Sequence, residues 1–264
     1  MQREKFCNIC EFSNELFGTG RVLNKYDVRF FRCPACGFIQ TETPYWLEEA
    51  YSKAIASSDI GYVSRNVRMA RVTRALISLA FAANKRFVDY GGGYGMFVRL
   101  MRDAGFDFWR YDRHCENLFA QGFDLEKLSP AENPNFELLT AFEVFEHLVD
   151  PRQELKQMLA LAPSIFFSTV LLPDPAPALG SWWYYVLEHG QHIAFYTRRS
   201  LEIAAEKLGL RFYTNNQSLH LLTNCAISKV AFQVSVTAPL FRLINLVSRR
   251  TSLLPNDAQI LKRR

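Results

Sequence analysis

Between residues 86 and 223 short apolar runs alternate with stretches whose apolar residues recur at helical spacing. The runs Arg86–Tyr90, Phe108–Tyr111, Phe136–Ala141, Ser164–Val170, Arg211–Thr214 and Leu219–Thr223 predict strands. Ser164–Val170 is almost continuously apolar, as expected of a strand covered on both faces. Met96–Ala104, Arg152–Leu161 and Ser200–Lys207, the last closed by Gly209, predict helices between them. A further helix is predicted ahead of the first strand, over Val63–Ala83, with Val67, Ala70, Leu76, Ile77 and Ala80 available for its inner face. On that helix Arg65, Arg68, Arg71 and Arg74 recur every third residue and read as a solvated edge. Strands alternating with helices argue for a doubly wound, mostly parallel α/β sheet. Leu172–Leu179, with Pro173, Pro175 and Pro177, is a loop directly after a strand, where such sheets build ligand sites.

Composition narrows the class. The chain has 264 residues, 49% apolar and 22% charged, which suits one α/β domain with a small attachment and excludes global disorder. We divide it into a metal module at 1–45, a helical connector at 46–83, the α/β domain at 84–225, and a helical extension with a basic tail at 226–264. Most of the net charge of +5 sits in that tail, where Arg249, Arg250, Lys262, Arg263 and Arg264 face the single acid Asp257. Such a distribution reads as a solvated terminus and argues against a nucleic-acid partner, which is usually met by a basic stripe on the folded surface. Ala226–Val247 is the most apolar late segment, but Lys229 and Arg242 interrupt it, so no membrane span is expected. Met1–Lys5 is polar and resembles no secretory leader, so a cytoplasmic location is the expectation.

Four of the six cysteines form two C-x-x-C pairs, Cys7/Cys10 and Cys33/Cys36, with 22 residues between them. Each pair can aim two thiolates at one tetrahedral centre, and the doubled spacing reads as a structural Zn²⁺ site in a zinc ribbon. Gly37 suits the tight turn after the second pair, and Val28, Phe30 and Phe31 suit a ribbon strand. Residues 1–36 hold six basic and four acidic side chains, so a four-thiolate zinc leaves the module near neutrality and unlike a nucleic-acid finger. Cys115 and Cys225 stand alone.

The segment Phe87–Met96 follows a strand and opens a helix. Its glycines run G-x-G-x-G over Gly91, Gly93 and Gly95, with Gly92 between, and Asp89 precedes them by two residues. The dinucleotide fingerprint needs a glycine where Met96 stands, and no G-K-[ST] follows, so neither a pyrophosphate cradle nor a P-loop is indicated. Asp112 ends the next strand, 21 residues after Gly91, where a carboxylate can accept from both hydroxyls of a ribose. This arrangement resembles the first motif of class I S-adenosylmethionine-dependent methyltransferases, in the methyltransferase-23-like branch. The resemblance implies a Rossmann-like doubly wound sheet of seven strands. It also implies that Asp89 and the glycine backbone hold the amino-acid end of S-adenosylmethionine, with Asp112 on its ribose.

Leu138–Pro151 resembles the same family's fourth strand and following loop, with Phe145 in place of a common Leu. The resemblance sets Phe142 and Glu143 beside the cofactor, and Glu146 and His147 near the cleft. The later run of Trp182, Trp183, Tyr184 and Tyr185, followed by His189 and His192, is similar to the segment that faces the substrate. Imidazole titrates near neutrality, so His147 and His192 are the candidate bases, with Glu146 in support. His189 is the runner-up, and Tyr94 or Tyr196 would serve if no histidine does. The adenine-contact segment has no clear signature around Phe123-Asp124-Leu125. Together with the cysteine module, the pattern is similar to a bacterial subgroup that includes sugar C-methyltransferases. The reading is methyl transfer to a small molecule, a sugar or glycan precursor among the candidates. Alternatives are an RNA methyltransferase that uses the ribbon to bind RNA, and a cofactor-binding protein without catalysis.

Overall fold

A computed structural model describes residues 4–51, 60–128 and 135–262. Arg263 and Arg264 of the basic tail and part of the expected connector lie outside the described residues. In chain order the regular elements begin with β1 (Glu15–Val22), β2 (Tyr26–Arg32), β3 (Ile39–Thr41), α1 (Leu47–Ala50) and α2 (Tyr62–Ala80). There follow β4 (Arg86–Tyr90), α3 (Met96–Asp103), β5 (Asp107–Tyr111), β6 (Phe136–Ala141), α4 (Pro151–Leu161) and β7 (Ser164–Ser168). The chain continues with β8 (Ala194–Phe195), α5 (Arg198–Lys207), β9 (Arg211–Thr214) and β10 (Leu219–Thr223), and ends in α6 (Lys229–Val236), α7 (Leu240–Val247) and α8 (Leu254–Lys262).

The larger sheet has the order β5-β4-β6-β7-β10-β9, and both neighbours of β4 pair with it in parallel. Its members read as expected for a covered sheet, with every residue of β7 buried and every residue of β4 except Arg86. It holds six strands, not the seven expected. The chain after β5 makes a single parallel bridge, Asp124 to Arg110, and then turns into a 3-10 turn at Leu125–Lys127. After β10 it enters three helices. Among the described residues no further strand joins that sheet.

Two compact units emerge: Met1–Ala56 with Glu143–Gln157 and Phe167–Leu222, and Ser57–Phe142 with Met158–Phe166 and Thr223–Arg264. The first is built on a second sheet, β1-β2-β3-β8, antiparallel throughout. The expected ribbon strand lies within β2, where Val28 and Phe30 are fully buried. They join Val22, Ile39, Trp46, Tyr185, Ile193 and Phe195 in one apolar cluster. The Trp46 indole donates to the Gly190 carbonyl at 2.7 Å, so this large buried ring loses no hydrogen bond.

In the second unit α2 buries Met69, Val72 and Ala75 in addition to Ala70, Leu76 and Ile77, a wider face than its apolar stripe predicts. The cause is the C-terminal extension, since α6 and α7 pack on this helix as α3 does. Arg68 and Arg71 stay exposed, but Arg65 and Arg74 are half-buried, so only part of the expected solvated edge faces water. The helix stops at Ala80 because Phe81 turns extended. The tail is anchored more firmly than a solvated terminus would be. Its one acid, Asp257, is 1% exposed and takes a two-pronged ion pair from Arg102 at 2.9 and 2.7 Å. Arg250 donates to the Gly105 carbonyl at 3.0 Å. No single described helix is long and apolar enough to cross a membrane, although α6 and α7, bent by 96°, pass by length and composition as a pair.

Candidate active site

In the second unit the glycine loop leaves β4 and is held by backbone geometry that side chains cannot adopt cheaply. Gly91, Gly93 and Gly95 have φ of 68°, 53° and 83°. At Gly95, the residue before α3, a Cβ would meet the Asn117 side-chain oxygen at 2.6 Å, so both conformation and space demand glycine. The loop is tied to β5 by the Gly91 amide donating to the Tyr111 carbonyl at 2.8 Å. Asp112 fastens it further. Its carboxylate accepts from the amides of Gly93, His114 and Cys115, each at 2.8 Å. A carboxylate offers about four acceptor positions, so Asp112 organises the loop while keeping capacity for a ligand.

Asp89 lies at the root of this loop, 4% exposed, and accepts from the Thr140 hydroxyl at 2.6 Å. Burial pushes its carboxyl up to about 7, against the Thr140 hydrogen bond and the Arg110 charge that oppose the rise. Arg110 was not singled out from the sequence. It donates to the Gly93 carbonyl at 2.7 Å, pairs with Asp124 at 2.6 Å and also reaches the Cys115 carbonyl. The legible signal was a guanidinium inside the strand Asp107–Tyr111, since a charge is buried only where partners await it. Phe142, at the end of β6, packs edge-on against Phe97 and Phe166.

In the first unit Glu143 opens a turn with φ of 56°, a conformation costly for a non-glycine residue. The Ser168 hydroxyl holds it there, accepting from its amide and donating to its carboxylate, both at 2.8 Å. The next turn, Phe145–His147, presents Glu146 and His147, and the segment before β8 presents His192. These three converge, with one ligand-type atom from each lying within 4.8 Å of the others. His192, not His189, is the histidine whose ring crosses that of His147, 5.0 Å away at 86°. Burial first, and His192 second, hold His147 far below the usual imidazole range, at about 3. Tyr51, which the sequence did not single out, and Tyr184, from the aromatic run that it did, complete the surroundings. The Tyr51 hydroxyl is 3.1 Å from His147 Nδ1, and the Tyr184 ring stands 4.7 Å from that of His192. Tyr196 is spent elsewhere, its buried hydroxyl donating to the Phe145 carbonyl at 2.9 Å.

The cysteine pairs also meet in the first unit. Sγ separations are 3.6 Å for Cys7–Cys36, 3.3 Å for Cys10–Cys33 and 3.7 Å for Cys10–Cys36, and all four thiols are free of disulfides. A tetrahedral zinc with sulfurs at about 2.3 Å has edges of about 3.8 Å, so the donor set fits the ion. The hydrogen bond from Cys36 draws the Cys7 thiol down to about 6, while the same contact pushes Cys36 up. Gly37, with φ of 73°, turns beneath the cluster, and a Cβ there would press on Thr197 at 2.9 Å.

A parallel sheet whose first strand runs into a wired glycine loop, with an acid at the end of the next strand, is the framework of a methyl-donor-binding domain. The model of the methyltransferase domain family matches residues 64–215, and the chain belongs to that family as an S-adenosylmethionine-dependent methyltransferase. No curated protein matches the sequence significantly. Solved structures of similar fold include the N-terminal domain of EvdMO1 with SAH bound, at 15% identity and TM-score 0.39 over 62% of this chain and 83% of that one. CalO1, a methyltransferase in calicheamicin biosynthesis, aligns at 15% identity and TM-score 0.42 over 67% and 61%. The complex between the Haloferax volcanii Trm112 methyltransferase activator and the putative methyltransferase aligns at 15% and 0.47 over 67% and 98%.

Proposed function

We propose that this enzyme moves the methyl group of S-adenosylmethionine to a small-molecule acceptor, with a sugar or glycan precursor the favoured class. The observation that carries the cofactor assignment is the buried Asp89 beneath the glycine loop, with Asp112 accepting from that loop's Gly93 amide. Asp89, Gly91, Gly92, Gly93, Gly95, Asp112, Phe142 and Glu143 form the donor side. Glu146, His147 and His192 form the acceptor side and remove the acceptor's proton. The sulfonium methyl arrives already activated, so the protein's work is alignment and proton removal. The near-neutral cysteine module and the exposed Trp183, 72% accessible beside Tyr184, support a carbohydrate acceptor, since an indole face stacks on a sugar ring. Cys7, Cys10, Cys33 and Cys36 hold a structural zinc, and residues 84–225 form the catalytic domain.

The test is transfer of labelled methyl to a panel of sugar nucleotides, small phenols and RNA. A carbohydrate acceptor is expected to label. His147→Ala and His192→Ala should keep affinity for S-adenosylhomocysteine and lose turnover by about 10²–10⁴-fold. Labelling of RNA alone would overturn the acceptor class, and wild-type turnover with an unchanged pH profile in both variants would remove the histidines from the reaction.

A further inference from the structure

The convergence of Glu146, His147 and His192 carries more than a base. His192 Nδ1 lies 2.8 Å from the Tyr184 carbonyl oxygen, and His147 Nδ1 lies 3.0 Å from the Gln191 carbonyl oxygen. A carbonyl only accepts, so both Nδ1 atoms carry the proton and both Nε2 atoms keep a lone pair. Backbone carbonyls that fix the tautomer in this way are the usual outer support of metal-ligating histidines. Glu146 is fully buried, and its own segment is pinned at two points: the Ile193 amide donates to the Glu146 carbonyl and the Tyr196 hydroxyl to the Phe145 carbonyl, both at 2.9 Å. Three ligand-type groups thus meet on a rigid frame, with the two imidazole lone pairs unclaimed by the carbonyls that orient them.

We propose that the Glu146 carboxylate, His147 Nε2 and His192 Nε2 bind one divalent transition-metal cation, separate from the four-cysteine site. Two imidazoles and one carboxylate suit Mn²⁺, Fe²⁺, Co²⁺ or Zn²⁺ and disfavour Mg²⁺ and Ca²⁺, which prefer all-oxygen shells. Ligands at about 2.1 Å in a tetrahedral shell stand roughly 3.4 Å apart, so loading draws the three atoms together through side-chain torsions. The three groups act as bases only in the unloaded site; with the cation bound, its open positions would take an oxygen of the acceptor and lower that oxygen's pKa. That consequence rests on the reading of this group as the acceptor side, whereas cation binding itself does not.

Cobalt distinguishes the two metal sites. Co²⁺ is titrated into the full-length, zinc-loaded protein, and visible d–d absorption is followed together with the near-ultraviolet thiolate-to-metal band that exchange at the cysteines would produce. One equivalent is expected to bind with d–d absorption and no thiolate band. His192→Ala and Glu146→Gln should each weaken it at least tenfold, and binding of S-adenosylhomocysteine reports that each variant is folded. If Glu146→Gln does not fold, the partly exposed His192→Ala decides alone. Absence of d–d absorption, a thiolate band alone, or unchanged Co²⁺ affinity in His192→Ala overturns the site and leaves the methyl-transfer reading standing. Co²⁺ binding as expected in a protein that fails to bind S-adenosylhomocysteine upholds the cation site and removes the proposed donor side.

Discussion

Asp89 offers the most quantitative test of the donor side. Its carboxyl is raised from 3.8 to about 7, chiefly by burial. A shift of about three units corresponds to roughly 4 kcal/mol of preference for the protonated form. Because the folded value lies above the unfolded one, this contribution to stability is fully present below about pH 4 and is lost as the pH rises through about 7. A ligand that brings an ammonium group to Asp89 reverses the preference, because opposite charge favours the carboxylate. Binding of S-adenosylhomocysteine therefore expels a proton at acidic pH and costs nothing extra once the site is ionised. If the bound state titrates below about 5, affinity should rise about tenfold between pH 6 and pH 8, about 1.4 kcal/mol, and then level. Calorimetry in two buffers of different ionisation enthalpy measures both the affinity and the proton released. Asp89→Asn should bind weakly and without this pH dependence. A flat affinity in the wild type, or the wild-type slope persisting in Asp89→Asn, would refute the assignment.

Three further outcomes are expected. Asp257→Ala takes two charged hydrogen bonds from the buried Arg102 guanidinium, which keeps Asp107 and the Phe108 carbonyl, and should destabilise the protein by about 1.5–3 kcal/mol in urea unfolding, although it removes a residue of the C-terminal tail. Asp112→Ala frees the Gly93 amide and those of His114 and Cys115 and removes the proposed ribose acceptor, so S-adenosylhomocysteine should bind about 10–100-fold more weakly by calorimetry, at about 1.5–3 kcal/mol for a charged hydrogen bond. Protein purified without chelator should contain zinc that survives dialysis, and Cys33→Ser should lose it, as read by elemental analysis.

The local signals were legible because they are carried by contiguous residues. A strand covered on both faces must be mostly apolar along its length, which marks β7, and a left-handed turn before a helix favours glycine, which marks Gly95. What stayed hidden depends on partners far apart in the chain. Arg102 and Asp257 are 155 residues apart, so the tail's only acid reads as a solvated charge until the fold buries it. The missing seventh strand has a similar origin: Phe123-Asp124-Leu125 is too short a run to extend a ladder, and Asp124 is engaged by Arg110 and Asn117 instead. Arg110 itself lay in a run scored for apolar character, where its charge was the unread clue.

The cysteine module looks in the sequence like an attachment, yet its geometry runs directly into the segment that carries His192. Strand β3 follows Cys36 by three residues and pairs with β8 through Ile39–Phe195 and Gln40–Ala194. The Thr41 amide donates to the Ile193 carbonyl at 3.1 Å, and the Thr197 hydroxyl to the Cys36 carbonyl at 2.5 Å. Asn8, beside Cys7, donates from its amide to the Gln40 side chain at 2.8 Å and from its side chain to the Val149 carbonyl at 3.0 Å. Val149 lies two residues beyond His147. The His192 segment is therefore reached from the cysteine cluster through backbone hydrogen bonds, and the His147 segment through one side chain, Asn8. A zinc held by the four thiolates, as proposed, would have no open position for chemistry, so any influence on the proposed reaction would be geometric. An error of about 1 Å in the placement of a reacting group can cost about 10²-fold in rate, and a two-residue strand such as β8 has little stability of its own to prevent it. On this argument the cysteine module supplies the rigidity that Ala194–Phe195 lacks.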